Sequence, residues 1–452
     1  MLKRELYATL QEWKQQSQGK TALLIEGARR VGKTTLVREF AAREYVSSIF
    51  IDFTFAPPEV TDIFDDLLYD LDTFFHYLST AFATRLHPRG SLIIFDEVQA
   101  FPRARQAIKH LVADGRFDYV ETGSLVSIKE NVADILIPSE ERSVTLRPLT
   151  FTEFLWALGE DLLVETLSSA FTEKKPLPAL IHKKAQRLFR EYMLVGGMPE
   201  AVEKYTAARD FAEVDEIKRQ ILSLYRSDIA KHAGTERLKV ERLFDALPGE
   251  LAKHEKSFTI SHADADGTWN AYDEAFYWLA DSQIATVCFN STDPSVGLGL
   301  SMDNTKMKVY MADTGLLVTH AFTTSQATSD QAYRDVLLGK LDINEGMITE
   351  NAVAQALSAA GHQLFFHSYY DDTAKRTYEV DFLLIQPYPN AAMKQRVAPV
   401  EVKSSTKYGL SSLDRFKKRF GSRIGTQYVL HPGQMRVESD RVFLPLYMAH
   451  LL

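Results

Sequence analysis

Apolar residues in the first 150 positions form short runs that alternate with helix-like stretches. An opening helix is predicted by the helical spacing of four apolar residues, Leu2, Leu6, Leu10 and Trp13. Five short apolar runs follow, at 22–25, 49–53, 92–95, 119–120 and 143–146. Continuous runs of this length are typical of buried parallel strands, and their alternation with helices favours a parallel α/β sheet. The first predicted domain therefore spans residues 1–150.

The middle of the chain changes to helical periodicity. Residues 151–231 carry helical patterns, and residues 232–330 mix helices with two predicted strands, 284–289 and 308–311. Helices that lead into a two-stranded ribbon suit a winged helix, although periodicity alone does not establish one.

The last predicted domain, 331–452, has a definite order of elements. A helix precedes three strands, and a second helix precedes two more. These elements are a helix at 349–360, strands at 363–368, 378–385 and 399–404, a helix at 411–420, and strands at 425–430 and 442–447. The whole chain is thus predicted to be a multidomain α/β protein.

Composition narrows the class of protein. The 452 residues suggest about three domains. No apolar run approaches the roughly eighteen residues of a membrane span, and the N-terminus lacks signal-peptide features. The single cysteine, Cys288, excludes a disulfide within one chain. We therefore expect a cytoplasmic protein without a membrane partner.

Charge is distributed unevenly around a net value of −8. Between residues 394 and 423, Glu401 and Asp414 are the only acidic residues among many basic ones. Such a local excess can bind duplex DNA even on an acidic protein. A solvated helix face around Arg415–Arg419 explains the same residues equally well.

A nucleotide-binding loop follows the first predicted strand. Glycines let successive N–H groups face phosphate oxygens, and the following helix N-terminus adds partial positive charge. Lys33 is expected to act on the β- and γ-phosphates, and the Thr34 hydroxyl to bind Mg²⁺. The predicted ATP-binding residues are Gly27, Ala28, Arg29, Arg30, Val31, Gly32, Lys33, Thr34 and Thr35.

Two adjacent acids end a later apolar strand. In an open α/β sheet, ligands bind at the carboxyl ends of the strands. We expect Asp96 to hold the Mg²⁺ and Glu97 to activate the attacking water. Ser124, after the strand at 119–120, is a candidate sensor of the γ-phosphate, although a plain turn at Gly123 is the alternative.

These motifs resemble the AAA-like ATPases of bacteria and archaea that carry an uncharacterised C-terminal domain. The resemblance extends to Thr122-Gly123-Ser124, to Gly196–Glu200 and to Lys308–Leu317. It implies that residues 151–231 form a helical lid and 232–330 a winged helix. Relatives of this kind often form rings, so a homo-oligomer remains open.

The C-terminal segment resembles the PD-(D/E)XK nuclease core, a restriction-endonuclease-like α/β fold. The residues that carry the resemblance are Glu350, Asp381, Glu401 and Lys403, in that order. The resemblance implies that the three carboxylates bind Mg²⁺ or Mn²⁺, which prefer oxygen ligands, and that Lys403 acts in catalysis. A surface ion pair of Glu401 with Lys403 is the alternative.

Two functions follow from these expectations. In the first, ATP binding and hydrolysis gate DNA cleavage by the C-terminal domain. In the second, the protein is an ATP-dependent switch or scaffold whose catalytically silent C-terminal domain binds DNA or a protein partner. The winged helix and residues 394–423 would contact DNA in either case.

Overall fold

The computed structural model describes most of the chain as two compact units. The first is Met1–Arg147 with Asp281–Gln283, and the second is Pro148–Ala280 with Ile284–Leu452. The described residues are 2–124, 139–253, 257–295, 297–322, 345–372, 375–386 and 395–452.

A five-stranded parallel sheet forms the centre of the first unit. Its strand order is β2-β3-β4-β1-β5, and every pairing is parallel. The strands are β1 (Ala22–Glu26), β2 (Ser47–Asp52), β3 (Ser91–Asp96), β4 (Asp118–Gly123) and β5 (Glu141–Thr145). The five predicted strands are therefore confirmed, because each lies on one of the apolar runs.

Helices flank this sheet and bury its apolar side chains. Side chains of α3, α4 and α5 share one apolar core with Leu24, Ile49, Ile93 and Phe95 of the strands. The helices of the unit are α1 (Leu6–Ser17), α2 (Lys33–Glu44), α3 (Pro58–Asp66), α4 (Leu71–Ala81) and α5 (Pro102–Asp114). Burial of these side chains holds the strand ends, and the residues after them, in place.

The second unit begins with consecutive helices that have clear start signals. Thr150 and Glu153 form a reciprocal capping box at the start of α6, and Asp210 caps α10. The helices are α6 (Phe151–Ala157), α7 (Asp161–Glu173), α8 (Ala179–Val195), α9 (Pro199–Ala208), α10 (Phe211–His232) and α11 (Arg237–Leu251). The helical character predicted for 151–231 is thus present.

A one-turn helix, a 13-residue helix and a two-stranded ribbon follow. Helix α12 (Ile260–Ala263) and helix α13 (Trp269–Asp281) precede the antiparallel strands β6 (Ala285–Ser291) and β7 (Met302–Met311). The backbone N–H of Phe258, before α12, also donates to the carbonyl of Met307 in β7. Helix α14 (Thr314–Ala321) then begins at Asp313, whose side chain accepts from the N–H of Leu316.

The ribbon is one edge of an eight-stranded mixed sheet with the order β12-β13-β11-β10-β9-β8-β6-β7. The remaining elements are α15 (Glu345–Ala359), β8 (Phe365–Asp371), β9 (Arg376–Gln386), β10 (Arg396–Val402), α16 (Ser411–Phe420), β11 (Gln427–His431), β12 (Arg436–Glu438) and β13 (Arg441–Pro445). Segments 232–330 and 331–452, expected as separate domains, therefore contribute strands to one sheet. The expected boundary between them lies outside the described residues.

The order of elements after residue 345 matches the sequence expectation, with the short strand β12 added. Strands β8, β9 and β10 form an antiparallel meander, and β11 pairs parallel with β10 after helix α16. Across the described ranges, no helix is both long enough and apolar enough to cross a membrane.

Candidate functional site

The loop from Gly27 to Gly32 connects β1 to α2. Gly32 has a φ of +94°, in the left-handed region that favours glycine. Gly27 has no room for a side chain, because a Cβ there would lie 2.4 Å from the carbonyl oxygen of Leu146. Both glycines are therefore required by the backbone of the loop.

Lys33 lies at the first position of α2 and is buried. Its Nζ donates to the carbonyl oxygens of Gly27 at 2.9 Å and Ala28 at 3.2 Å. The ammonium is thus held directly against the loop. Of the other predicted loop residues, Ala28 and Val31 are buried, whereas Arg29, Arg30 and Thr35 are exposed.

Thr34 and Asp96 come from different elements and meet beside the loop. The Thr34 hydroxyl lies 3.0 and 3.1 Å from the two carboxylate oxygens of Asp96, and the Thr122 hydroxyl also donates to Asp96. Burial raises the pKa of Asp96, while the hydrogen bonds from Thr122 and Thr34 act in the opposite direction. Two oxygen donors are therefore adjacent where the sequence predicts Mg²⁺.

Glu97 follows Asp96 in an uncommon backbone conformation. Its φ of +53° lies in the left-handed region, which non-glycine residues adopt at a cost. Its N–H donates to the Thr122 hydroxyl at 3.2 Å, and the Gln99 amide donates to its carboxylate. These two contacts hold Glu97 at the carboxyl end of β3.

Two residues of this site were not predicted from the sequence. Thr122 contacts both Asp96 and Glu97, whereas the sequence singled out Ser124 two positions later. Arg4 donates to the carbonyl of Val31 in the loop at 2.9 Å. Thr122 belongs to the Thr122-Gly123-Ser124 motif that was identified from the sequence. Arg4 lies before the first helix and belongs to no sequence motif that would indicate its contact with the loop.

The residues at this loop fit ATP with Mg²⁺. A loop of backbone amides, a buried lysine and the hydroxyl–carboxylate pair of Thr34 and Asp96 are the donor types that bind phosphates and a hard cation. Glu97 adds a carboxylate at the same strand end.

A second cluster of charged side chains lies in the eight-stranded sheet. It contains three of the four residues predicted there: Asp381 of β9 accepts from the N–H of Val402 at 2.7 Å, and Lys403 Nζ lies 2.6 Å from Glu401. Glu350 of α15 also joins the cluster, because Lys308 links it to Asp381. The fold thus brings all four predicted residues together.

Lys308 of β7 lies among these acids and was not predicted to belong to them. Its side chain is fully buried, and its Nζ lies 3.1 Å from Glu350, 2.7 Å from Glu379 and 3.8 Å from Asp381. The Tyr310 hydroxyl donates to the same Glu350 oxygen at 2.6 Å. We name the set Lys308, Glu350, Glu379, Asp381, Glu401 and Lys403 the carboxylate–lysine cluster.

Burial and mutual repulsion shift the titration of this cluster. Burial and the charge of Glu350 raise the pKa of Asp381 to about 6, and burial and the charge of Asp381 raise that of Glu401 to about 8. Burial alone would lower the pKa of Lys308, but the three nearby carboxylates outweigh it and raise the pKa well above its usual value.

A divalent metal does not fit this arrangement as it stands. The Lys308 ammonium takes the carboxylate oxygens of Glu350, Glu379 and Asp381 that would serve as ligands. In agreement, no group of three acidic, histidine or cysteine side chains in the described ranges is arranged to hold a metal ion.

Exposed arginines lie over tyrosine rings on the same sheet. Arg376 and Arg415 lie 4.4 and 4.3 Å from the ring centre of Tyr378, and Arg419 lies 4.4 Å from that of Tyr369. The two tyrosines stack with ring centres 5.8 Å apart. We name these five residues the arginine–tyrosine surface. It includes part of the predicted basic segment, of which Lys394 lies outside the described residues.

Family models match three parts of the chain. An AAA domain matches residues 19–155, a domain of unknown function (DUF8612) matches 186–327, and another (DUF4143) matches 345–449. No curated protein matches. Residues 19–155, most of which lie in the first unit, are therefore similar to AAA domains.

Solved structures give low overall likenesses at 12% identity. PCH-2 of C. elegans matches with a TM-score of 0.21 over 36% of this chain, which spans only 46% of that protein. The Aeropyrum pernix ORC1 protein, solved in complex with DNA, gives 0.25 over 72% of this chain and 94% of its own. AMPPCP-bound DnaA from Aquifex aeolicus gives 0.28 over 62% and 87%. The similarity to AAA domains accordingly rests on the family model.

Proposed function

We propose that the protein binds ATP with Mg²⁺ at the loop Gly27–Gly32 and hydrolyses it. The observation that carries the proposal is the direct contact of Thr34 with Asp96 beside the buried Lys33. Bound Mg²⁺ supplies Lewis-acid stabilisation of the charge that develops on the phosphoryl oxygens.

Each residue has a defined task in this proposal. The loop amides and Lys33 bind the phosphates, and Lys33 exchanges its contacts with the Gly27 and Ala28 carbonyls for phosphate oxygens. Thr34 and Asp96 would hold the metal. Glu97, oriented by Gln99, accepts a proton from the water that attacks the γ-phosphorus, so that ADP leaves and inorganic phosphate forms.

Steady-state ATP hydrolysis tests this proposal. Lys33→Ala should lose nucleotide binding, whereas Glu97→Gln should still bind ATP but turn it over at least about 100-fold more slowly, as expected for removal of a general base. Gln99→Glu is a second variant in which the side chain keeps its size but its negative charge repels the Glu97 carboxylate. Wild-type turnover in the Glu97→Gln variant would reject the assigned role.

We also propose that the second unit is the output of an ATP-dependent switch. The winged helix, a DNA-binding module, has the same order of elements as part of this unit: helices α11, α12 and α13 followed by the β6–β7 ribbon. The hydrogen bond from the Phe258 N–H to the Met307 carbonyl joins the segment before α12 to this ribbon. The arginine–tyrosine surface adds cations that contact phosphates. The expected partner is therefore duplex DNA. Nucleotide-dependent change in DNA affinity tests the coupling, and equal affinity with and without ATP would contradict it.

DNA cleavage by the carboxylate–lysine cluster is the second candidate function, and it requires Lys308 to release Glu350 and Asp381 so that they can bind a metal. The observation in its favour is the meeting of Asp381, in the middle of β9, with Glu401 and Lys403 at the carboxyl end of the neighbouring strand β10. Supercoiled DNA incubated with Mg²⁺ or Mn²⁺ and ATP tests it, with Lys403→Ala as the comparison. Nicking that Lys403→Ala abolishes would establish a nuclease; intact DNA with active ATP hydrolysis would favour the switch.

A further inference from the structure

Lys308 has the burial and contacts of a resident counter-ion. Its side chain is fully buried, and three carboxylates from α15 and β9 lie within 4 Å of its Nζ. The ring centre of Phe366 lies 5.1 Å from the same Nζ, which closes another side. Leaving buried carboxylates without a cation is costly, because each loses its hydration.

We propose that Lys308 is the built-in cation of the carboxylate–lysine cluster and stands where a nuclease of this resemblance would hold its divalent metal. The inference deepens the proposed switch function by assigning this site a metal-independent state. In addition, Lys308 connects the β6–β7 ribbon to α15 and to β9 through its ion pairs.

Geometry supports the replacement of a metal by this lysine. Glu350 and Asp381 are two of the three predicted metal ligands, and both contact Lys308. The third, Glu401, contacts the other lysine of the cluster, Lys403. Each predicted ligand is therefore paired with an ammonium group, and the two lysines offset part of the charge of the four carboxylates.

Neighbouring residues show that the lysine is placed specifically. Lys306, two positions earlier in β7, contacts the Ser368 hydroxyl at 3.0 Å and is only partly buried. It thus shares the strand and the charge of Lys308 but makes none of the carboxylate contacts of Lys308. Lys306→Met is for this reason a matched control.

Thermal unfolding with and without millimolar Mn²⁺ tests the proposal in the full chain. Every variant carries Asp96→Asn and is measured without nucleotide, so that the ATP site adds little metal response. Lys308→Met should gain about 2–4 °C in Tm with Mn²⁺, because ligand binding to the folded state raises stability. The parent and Lys306→Met should show no gain.

A second variant tests the proposal in case the first does not fold. Lys308→Met with Glu379→Gln removes one positive and one negative charge and leaves Glu350, Asp381 and Glu401, the predicted metal ligands. It should fold and also gain Tm with Mn²⁺. Electron paramagnetic resonance of Mn²⁺ then counts one additional bound ion per chain.

Two results would overturn the proposal. In one, the parent gains as much Tm as the Lys308 variants and binds Mn²⁺ at the cluster. In the other, both Lys308 variants fold yet neither binds Mn²⁺. ATP hydrolysis by Lys308→Met with Asp96 intact is measured separately, so a failure of this inference is distinguishable from a failure of the ATPase proposal.

Discussion

The guanidinium of Arg4 donates a 2.9 Å hydrogen bond to the main-chain carbonyl of Val31, within the nucleotide-binding loop. It donates a second to the carbonyl of Arg147, just after β5. Arg4 is buried, and loss of its side chain would remove this donor from both carbonyls. One side chain near the N-terminus thus ties the loop to the sheet edge.

We predict that Arg4→Ala weakens ATP binding by about 10-fold, because buried hydrogen bonds from a charged donor contribute about 1.5–3 kcal/mol each and the loop loses its anchor. Equilibrium binding of a fluorescent ATP analogue measures the effect. The exposed neighbour Lys3, replaced by alanine, is the control. Unchanged affinity in Arg4→Ala would show that the loop keeps its shape without this contact.

Asp96 and Asp52 lie opposite each other at the ends of β3 and β2, yet only Asp96 contacts Thr34. Asp96→Asn is therefore expected to reduce Mg²⁺-dependent ATP hydrolysis by about 100-fold or more, because metal-ion stabilisation contributes several kcal/mol to the barrier. Asp52→Asn should stay within a few-fold of wild type. Titration of the rate with Mg²⁺ separates weaker metal binding from a general loss of structure.

Because of Lys218, we expect the free energy of unfolding of the second unit to change with pH in the alkaline range. It is fully buried, donates to the Leu194 carbonyl at 2.6 Å, and burial lowers its pKa to about 8. The unfolded chain keeps its proton to about pH 10.4, so the unfolded state binds more protons between those values. Stability should consequently rise with pH in this window, by about 2 kcal/mol for this group.

Urea unfolding at pH 7.5 and pH 10 measures this difference. Lys218→Met should lack the rise, although its stability is lower throughout because the carbonyls of Leu194 and Gly315 lose their donor. Lys231→Met, an exposed site on the same helix, should keep the wild-type pH dependence. An identical rise in Lys218→Met would assign it to other groups.

The arginine–tyrosine surface gives a prediction for DNA binding. The Arg415 and Arg419 side chains lie over tyrosine rings, which holds them partly ordered before they meet phosphates. The double variant Arg415→Ala/Arg419→Ala should lower the slope of log affinity against log salt by about 2, since each phosphate contact contributes about 0.9. Lys174→Ala/Lys175→Ala removes the same charge from another helix end and should leave the slope unchanged.

Most of the strands and the order of elements could be predicted because they depend on local patterns. Buried strands such as β3 are apolar throughout, and the helix α16 begins and ends where its periodicity does. The ribbon β6–β7 shows the limit. Its two strands were predicted, but their membership of the eight-stranded sheet depends on pairing of Phe289 with Phe365, far apart in sequence.

By itself, the sequence determined the residues from which nucleotide chemistry is proposed for this protein. A loop between two glycines, followed by Lys33 and Thr34, specifies a phosphate site because a few consecutive residues set its backbone and its donors. The acid pair at the end of β3 is equally local. Asp96 contacts Thr34 because α2 starts after the carboxyl end of β1, and the carboxyl ends of parallel strands share one edge of the sheet.

Only the tertiary structure decided which cation faces the C-terminal acids. Lys308 and Glu350 are 42 residues apart, and Arg4 and Val31 are 27 apart. Hydrophobic periodicity records which face of an element is buried, but not which distant side chain meets it there. The tertiary fold places Lys308 of β7 among Glu350 of α15 and Glu379 and Asp381 of β9, and burial strengthens these charge pairs.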